Sequence, residues 1–119
     1  MDLETKLDKM AKELDKKVQQ WAIQQQSYLT LLPAEVGHHY YSRRHKLLRW
    51  DLLNIITLTN DEHRKVHDGI YKVEIKNPFR ELYLADMVNK DFKQYLLENG
   101  LSEEEFMKKC KEKIEREMK

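Results

Sequence analysis

Apolar residues near the start of the chain recur at helical intervals: Leu3, Leu7, Met10, Leu14, Val18 and Trp21 step by four, three, four, four and three. That periodicity places them on one stripe of an α-helix. Lysine, aspartate and glutamate fill the other faces, many of them at i,i+4. Residues 2–30 hold no glycine or proline, so the pattern predicts one long helix. It weakens at Gln24-Gln25-Gln26, resumes with Tyr28, Leu29, Leu31 and Leu32, and is stopped by Pro33. Two uses fit the stripe. It packs against a C-terminal helix, or its near-heptad spacing joins two chains as a short coiled coil and makes a homodimer.

The middle of the chain has another texture. Val36 to Tyr41 is β-permissive, and Leu53-Asn54-Ile55-Ile56-Thr57-Leu58 is the best strand candidate. The connection between them, Ser42 to Trp50, is basic and too long for a tight hairpin turn. Thr59 and Glu62 then stand at capping-box spacing, with acids in the first turn. They open a short helix that carries His63 and His67 and ends at Gly69. Ile70 to Ile75 alternates apolar and polar, which predicts a further short strand.

After Pro78 the pattern predicts helix over residues 79–99, interrupted near Asn89, with Gly100 as C-cap. Ser102 and Glu105 form a second capping-box spacing. Phe106, Cys110, Ile114 and Met118 then make a stripe on the last helix. Together these elements predict an α+β domain: an N-terminal helical arm over 1–32, a strand–strand–helix core over 33–70, and a C-terminal helical segment over 71–119.

Composition narrows the picture. At 119 residues the chain suits one domain with a modest core. It carries 22 basic and 21 acidic residues, a net charge of +1, which neither suggests nor excludes nucleic acid as a partner. No apolar run reaches transmembrane length and no apolar h-region follows a basic start, so the expectation is a soluble cytoplasmic protein with no membrane partner. The single cysteine, Cys110, rules out a disulfide framework and a cysteine-rich zinc site. It reads as a small apolar residue on the packing face.

The histidines carry the candidate chemistry. All five lie between His38 and His67: His38, His39, His45, His63 and His67. An i,i+4 pair on a helix points from one face, so His63 and His67 can chelate one divalent cation, and His38 can close the site from a neighbouring strand. Three imidazoles leave a coordination position open, as catalytic sites require. His39, the next residue on the strand, faces the other way and is free to act as a general base near neutral pH. His67 also reads as a solvent-facing residue, and His45 as a loop residue with no assigned role.

The segment Gly37-His38-His39, Asn54, His63 and His67 resembles the HNH (ββα-metal) endonuclease motif. Its intervals are fifteen residues from His39 to Asn54, nine to His63 and four to His67. They are similar to those of the DNase colicins and of phage-encoded HNH proteins. The resemblance covers roughly residues 33–70. It implies a ββα-metal core flanked by N- and C-terminal helices, and a nuclease that hydrolyses DNA phosphodiester bonds inside a host cell. It implies His38, His63 and His67 as ligands of one divalent metal ion (Mg, Mn, Ni or Zn), His39 as general base, and Asn54 as the residue that ties the loop together. Many members have a Gly-Gly in that loop and paired cysteines around a structural zinc. Here the loop is Tyr40-Tyr41-Ser42-Arg43-Arg44, and packing must replace the zinc.

Arg43, Arg44, Lys46 and Arg49 form the densest basic stretch beside these residues. They read equally as a DNA-backbone contact and as a solvated loop. Arg64 and Lys65 can add to the same patch. Glu62 reads either as an imidazole-orienting carboxylate or as a helix N-terminal stabiliser, and Trp50 as a core residue. The alternative function is a non-catalytic DNA- or protein-binding module with a ββα fold and a structural metal. A helical assembly protein with incidental histidines is a third reading.

Overall fold

The computed structural model describes residues 2–119. It is an α+β fold of five α-helices and one two-stranded antiparallel sheet. The elements run α1 (Leu3–Ala22), β1 (Val36–His39), a 3₁₀ turn (Leu52–Asn54), β2 (Ile55–Leu58), α2 (Asn60–His67), α3 (Pro78–Val88), α4 (Phe92–Glu98) and α5 (Glu103–Glu117). Among the described residues no helix is long and apolar enough to cross a membrane.

The strand β2 divides the apolar interior. All four of its residues are buried, because its two faces meet different clusters. Ile55 packs with Leu14 and Val18 of α1, Leu47, Trp50, and Phe106, Met107 and Ile114 of α5. Ile56 and Leu58 pack instead with Leu48, Ile75 and Leu84. A strand covered on both faces reads as a near-continuous apolar run, which is what the sequence shows. The N-terminal stripe finds its partner within the chain: Leu14 and Val18 are buried, and Leu7, Met10 and Trp21 pack around the same cluster as α5. Leu3 remains 62% exposed.

In the sheet, His38 pairs with Ile56 and His39 with Ile55. On the free side of β1, one side chain of α1 takes both backbone groups of Gly37. Gln19 of α1 accepts from Gly37 N through Oε1 at 2.8 Å and donates from Nε2 to Gly37 O at 3.0 Å. Gly37 is required for this docking, since a Cβ there would stand 2.7 Å from Ile55 Cγ2 and 3.2 Å from Ala22 Cβ.

Two expected elements are not formed as the pattern suggests. The first helix ends at Ala22 rather than near residue 30. Beyond it the chain turns: Ser27 N donates to Leu32 O, Gln26 bridges Pro33, and Leu31 adopts φ 65°. The cause is tertiary, because the Ser27 and Thr30 hydroxyls are claimed by Glu62 of α2 at 2.6 and 2.8 Å.

The segment Ile70 to Ile75 is not a strand. The outer carbonyls of β2 are already taken, Ile55 O by Arg80 Nη2 at 3.1 Å and Thr57 O by Tyr28 N at 2.7 Å. The segment is tied instead by the Tyr28 hydroxyl, which donates to Glu74 O and accepts from Lys76 N. The 79–99 helix is interrupted after Val88, with Asn89 capping α3 and Asp91 opening α4. The C-cap of α4 is Asn99 rather than Gly100, which follows it at φ 64°.

Candidate metal centre and its surroundings

The site starts at the beginning of α2. Thr59 Oγ1 accepts from Glu62 N, and the Glu62 carboxylate accepts from Thr59 N at 2.8 Å, so both halves of the capping box are present. This fixes where the helix begins, and hence the face that carries His63 and His67. Glu62 is only 4% exposed. Burial pushes its pKa up, but the hydrogen bonds from Ser27, Thr59 and Thr30 outweigh that and hold it below the usual value. Its carboxylate therefore ties the 27–30 turn to the helix, with Ser27, Thr30 and Thr59 as its hydrogen-bond partners among the described residues; of its two readings, the structure supports the N-terminal one.

His38 comes from β1 and meets the two helical histidines, since α2 lies against both strands. Ring centroids of His38 stand 5.2 Å from His63 and 5.5 Å from His67, and those of His63 and His67 are 4.5 Å apart. One ring nitrogen from each of the three lies within 4.8 Å of the others. His63 Nε2 and His67 Nε2 approach to 3.0 Å. Three imidazole nitrogens bound to one zinc-like ion at ~2.0–2.1 Å fit within such a span, so this donor set suits a borderline divalent cation. His38 and His63 are half-buried and His67 is exposed, which leaves one side open to solvent.

Electrostatics favour the neutral, ligating form of two of these rings. Burial, followed by the neighbouring His63, His67 and His39, pushes the His38 pKa down to about 4. Burial and then His67 lower that of His63.

His39 lies on the other face of β1, as strand alternation requires. Its Nε2 stands 2.8 Å from Arg49 O. A carbonyl only accepts, so in the neutral ring Nε2 carries the proton and Nδ1 keeps its lone pair. Burial lowers the His39 pKa, opposed in part by that carbonyl.

The loop that supplies the carbonyl is stapled by Asn54, which is fully buried. Its Oδ1 accepts from Tyr41 N at 2.9 Å, and its Nδ2 donates to Tyr41 O at 3.0 Å and Leu48 O at 3.1 Å. One carboxamide thus joins both ends of the loop. Among the described residues no buried side-chain nitrogen or oxygen lacks a partner.

The basic stretch divides into engaged and exposed heads. Arg49 is clamped by Asp15 at 3.0 and 2.6 Å, and Lys46 reaches Glu103 at 3.4 Å. Arg43 is exposed and 4.0 Å from Asp15, and Arg44 forms no ion pair among the described residues. On α2, Arg64 and Lys65 both pair with Asp61. Near His45 lies the Tyr41 ring, 6.2 Å between centroids. Cys110 packs against the cluster around α5, and burial pushes its thiol up to about 12. Trp50 is buried, as expected of a core residue.

Asp15 and Gln19 were not legible as site residues. In the sequence they belong to the polar faces of an amphipathic helix, and only their one-turn spacing connects them. No protein-family model, curated protein or solved structure matches this chain.

Proposed function

We propose that the chain is a metal-dependent endonuclease of the HNH (ββα-metal) type, which hydrolyses phosphodiester bonds of DNA. The observation that carries the reading is the convergence of His38, His63 and His67 beside a fourth histidine whose ring is held by a backbone carbonyl. Support also comes from the order strand, stapled loop, strand, helix, and from Asn54 at the position where the resemblance requires it.

A divalent cation (Mg, Mn, Ni or Zn) held by the three imidazoles would supply Lewis acidity at the phosphate and stabilise charge on the leaving oxygen. His39 uses its unprotonated Nδ1 to take a proton from the attacking water. The water oxygen bonds to phosphorus as the bond to the leaving oxygen breaks, and that oxygen is protonated from solvent. Asn54 holds the loop so that the Arg49 carbonyl stays in place. Arg43 and Arg44 bind flanking phosphates.

Plasmid nicking with each of the four cations, in wild type and His39→Ala, tests this. The expected result is cleavage that falls about 10²- to 10⁴-fold in the variant. Cleavage that survives the substitution, or none with any cation, overturns the reading. Tight stoichiometric zinc without cleavage assigns the fold to a binding module.

A further inference from the structure

We infer that Asp15, on α1 and outside the strand–helix unit, is a positioning residue for His39. The inference rests on the nuclease reading for its kinetic consequence, and on geometry alone for its structural one.

A single carboxylate collects three donors here. Asp15 Oδ1 accepts from Arg49 Nε at 3.0 Å and from Trp50 Nε1 at 2.8 Å, while Oδ2 accepts from Arg49 Nη2 at 2.6 Å. The arginine contact is the two-pronged kind, which fixes orientation as well as distance. Two successive residues at the end of the loop are thereby held to one point on α1. The carbonyl of the first, Arg49, is the group that receives the His39 ring. Anchoring both neighbouring side chains restricts how that carbonyl can turn.

The same helix holds the other end of the geometry. Gln19 lies one turn after Asp15 and therefore on the same face. It grips both backbone groups of Gly37, two residues before His39 on β1. So α1 acts as a splint. Gln19 sets the strand that carries the ring, and Asp15 sets the carbonyl that fixes the ring's tautomer. Arg49 thus directs its guanidinium inward, toward a carboxylate, and its main chain toward the base.

The test uses the full chain loaded with zinc, and reads the ¹⁵N shifts of the His39 ring at one pH alongside plasmid nicking. Wild type shows a single Nε2–H tautomer. Asp15→Asn gives a mixture of tautomers, zinc affinity within threefold of wild type, and a kcat about 10- to 100-fold lower with KM for DNA little changed. Asp15→Glu restores part of both signals. Leu14→Ala, which loosens the neighbouring core without touching the clamp, lowers the melting temperature and leaves the ring signal unchanged.

A wild-type ring signal in Asp15→Asn overturns the inference, as does an equal tautomer change in Leu14→Ala. If wild type cuts no DNA, the nuclease reading fails while the ring measurement still decides the positioning role.

Discussion

The segment from β1 to α2 and the pair α1–α5 are ordered by different forces. In the first, polar groups set the geometry: Asn54 staples the loop, Glu62 and Thr59 set the start of the helix, and the Arg49 carbonyl holds His39. In the second, apolar contacts dominate, with Leu14 and Val18 against Phe106, Met107 and Ile114. Hydrogen bonds fix direction, whereas burial is non-directional and supplies stabilisation. The two regions divide the labour. Side chains that must point accurately lie where polar staples define them, and the helical arms stabilise the fold that holds them. The helix α1 belongs to both, through Asp15 and Gln19.

The largest effect that separates the regions is expected from Ile114→Ala, which empties a fully buried position in the arms. It should cost about 2–5 kcal/mol in denaturant unfolding while zinc affinity below the melting temperature stays at the wild-type value. A large loss of zinc affinity in that variant would break the division. Next comes Asn54→Ala, which orphans the Tyr41 N–H and the Tyr41 carbonyl and leaves Leu48 O with Asp51 N as its donor. Both Tyr41 groups are only part-buried, so each left unsatisfied costs toward the lower end of ~1–3 kcal/mol, and nicking should fall further than zinc binding.

A smaller effect is expected from pH. His38 has a folded pKa of about 4 against 6.5 for a free ring, so the unfolded chain binds protons more readily between these values. Metal-free protein should therefore lose stability as pH falls from 6.5 toward about 4, and His38→Gln should flatten that slope. The smallest effect is Arg44→Ala, which should leave melting unchanged and reduce the salt dependence of DNA binding by ~0.9 in log–log slope.

What the sequence disclosed follows the same division. Thr59 with Glu62 and Ser102 with Glu105 were readable because a capping box is local, and both form. His63 with His67 was readable because helical spacing sets a face. The end of α1 was not, since it depends on Glu62 claiming Ser27 and Thr30 from more than thirty residues away. Nor was the fate of Ile70–Ile75, whose alternation suits a strand but whose sheet edge is occupied by Arg80 and Tyr28. The Asp15 clamp is invisible for the same reason, because an acid on a charged helix resembles its neighbours until Arg49 and Trp50 are brought to it.

The most direct test of the proposed metal centre is calorimetric titration of the metal-free chain with zinc, compared with His38→Ala, His63→Ala and His67→Ala. The expected outcome is one ion per chain, bound much more weakly in each single variant. Binding that is absent in wild type, or unchanged when all three histidines are replaced, would mean that the three rings do not form a metal site.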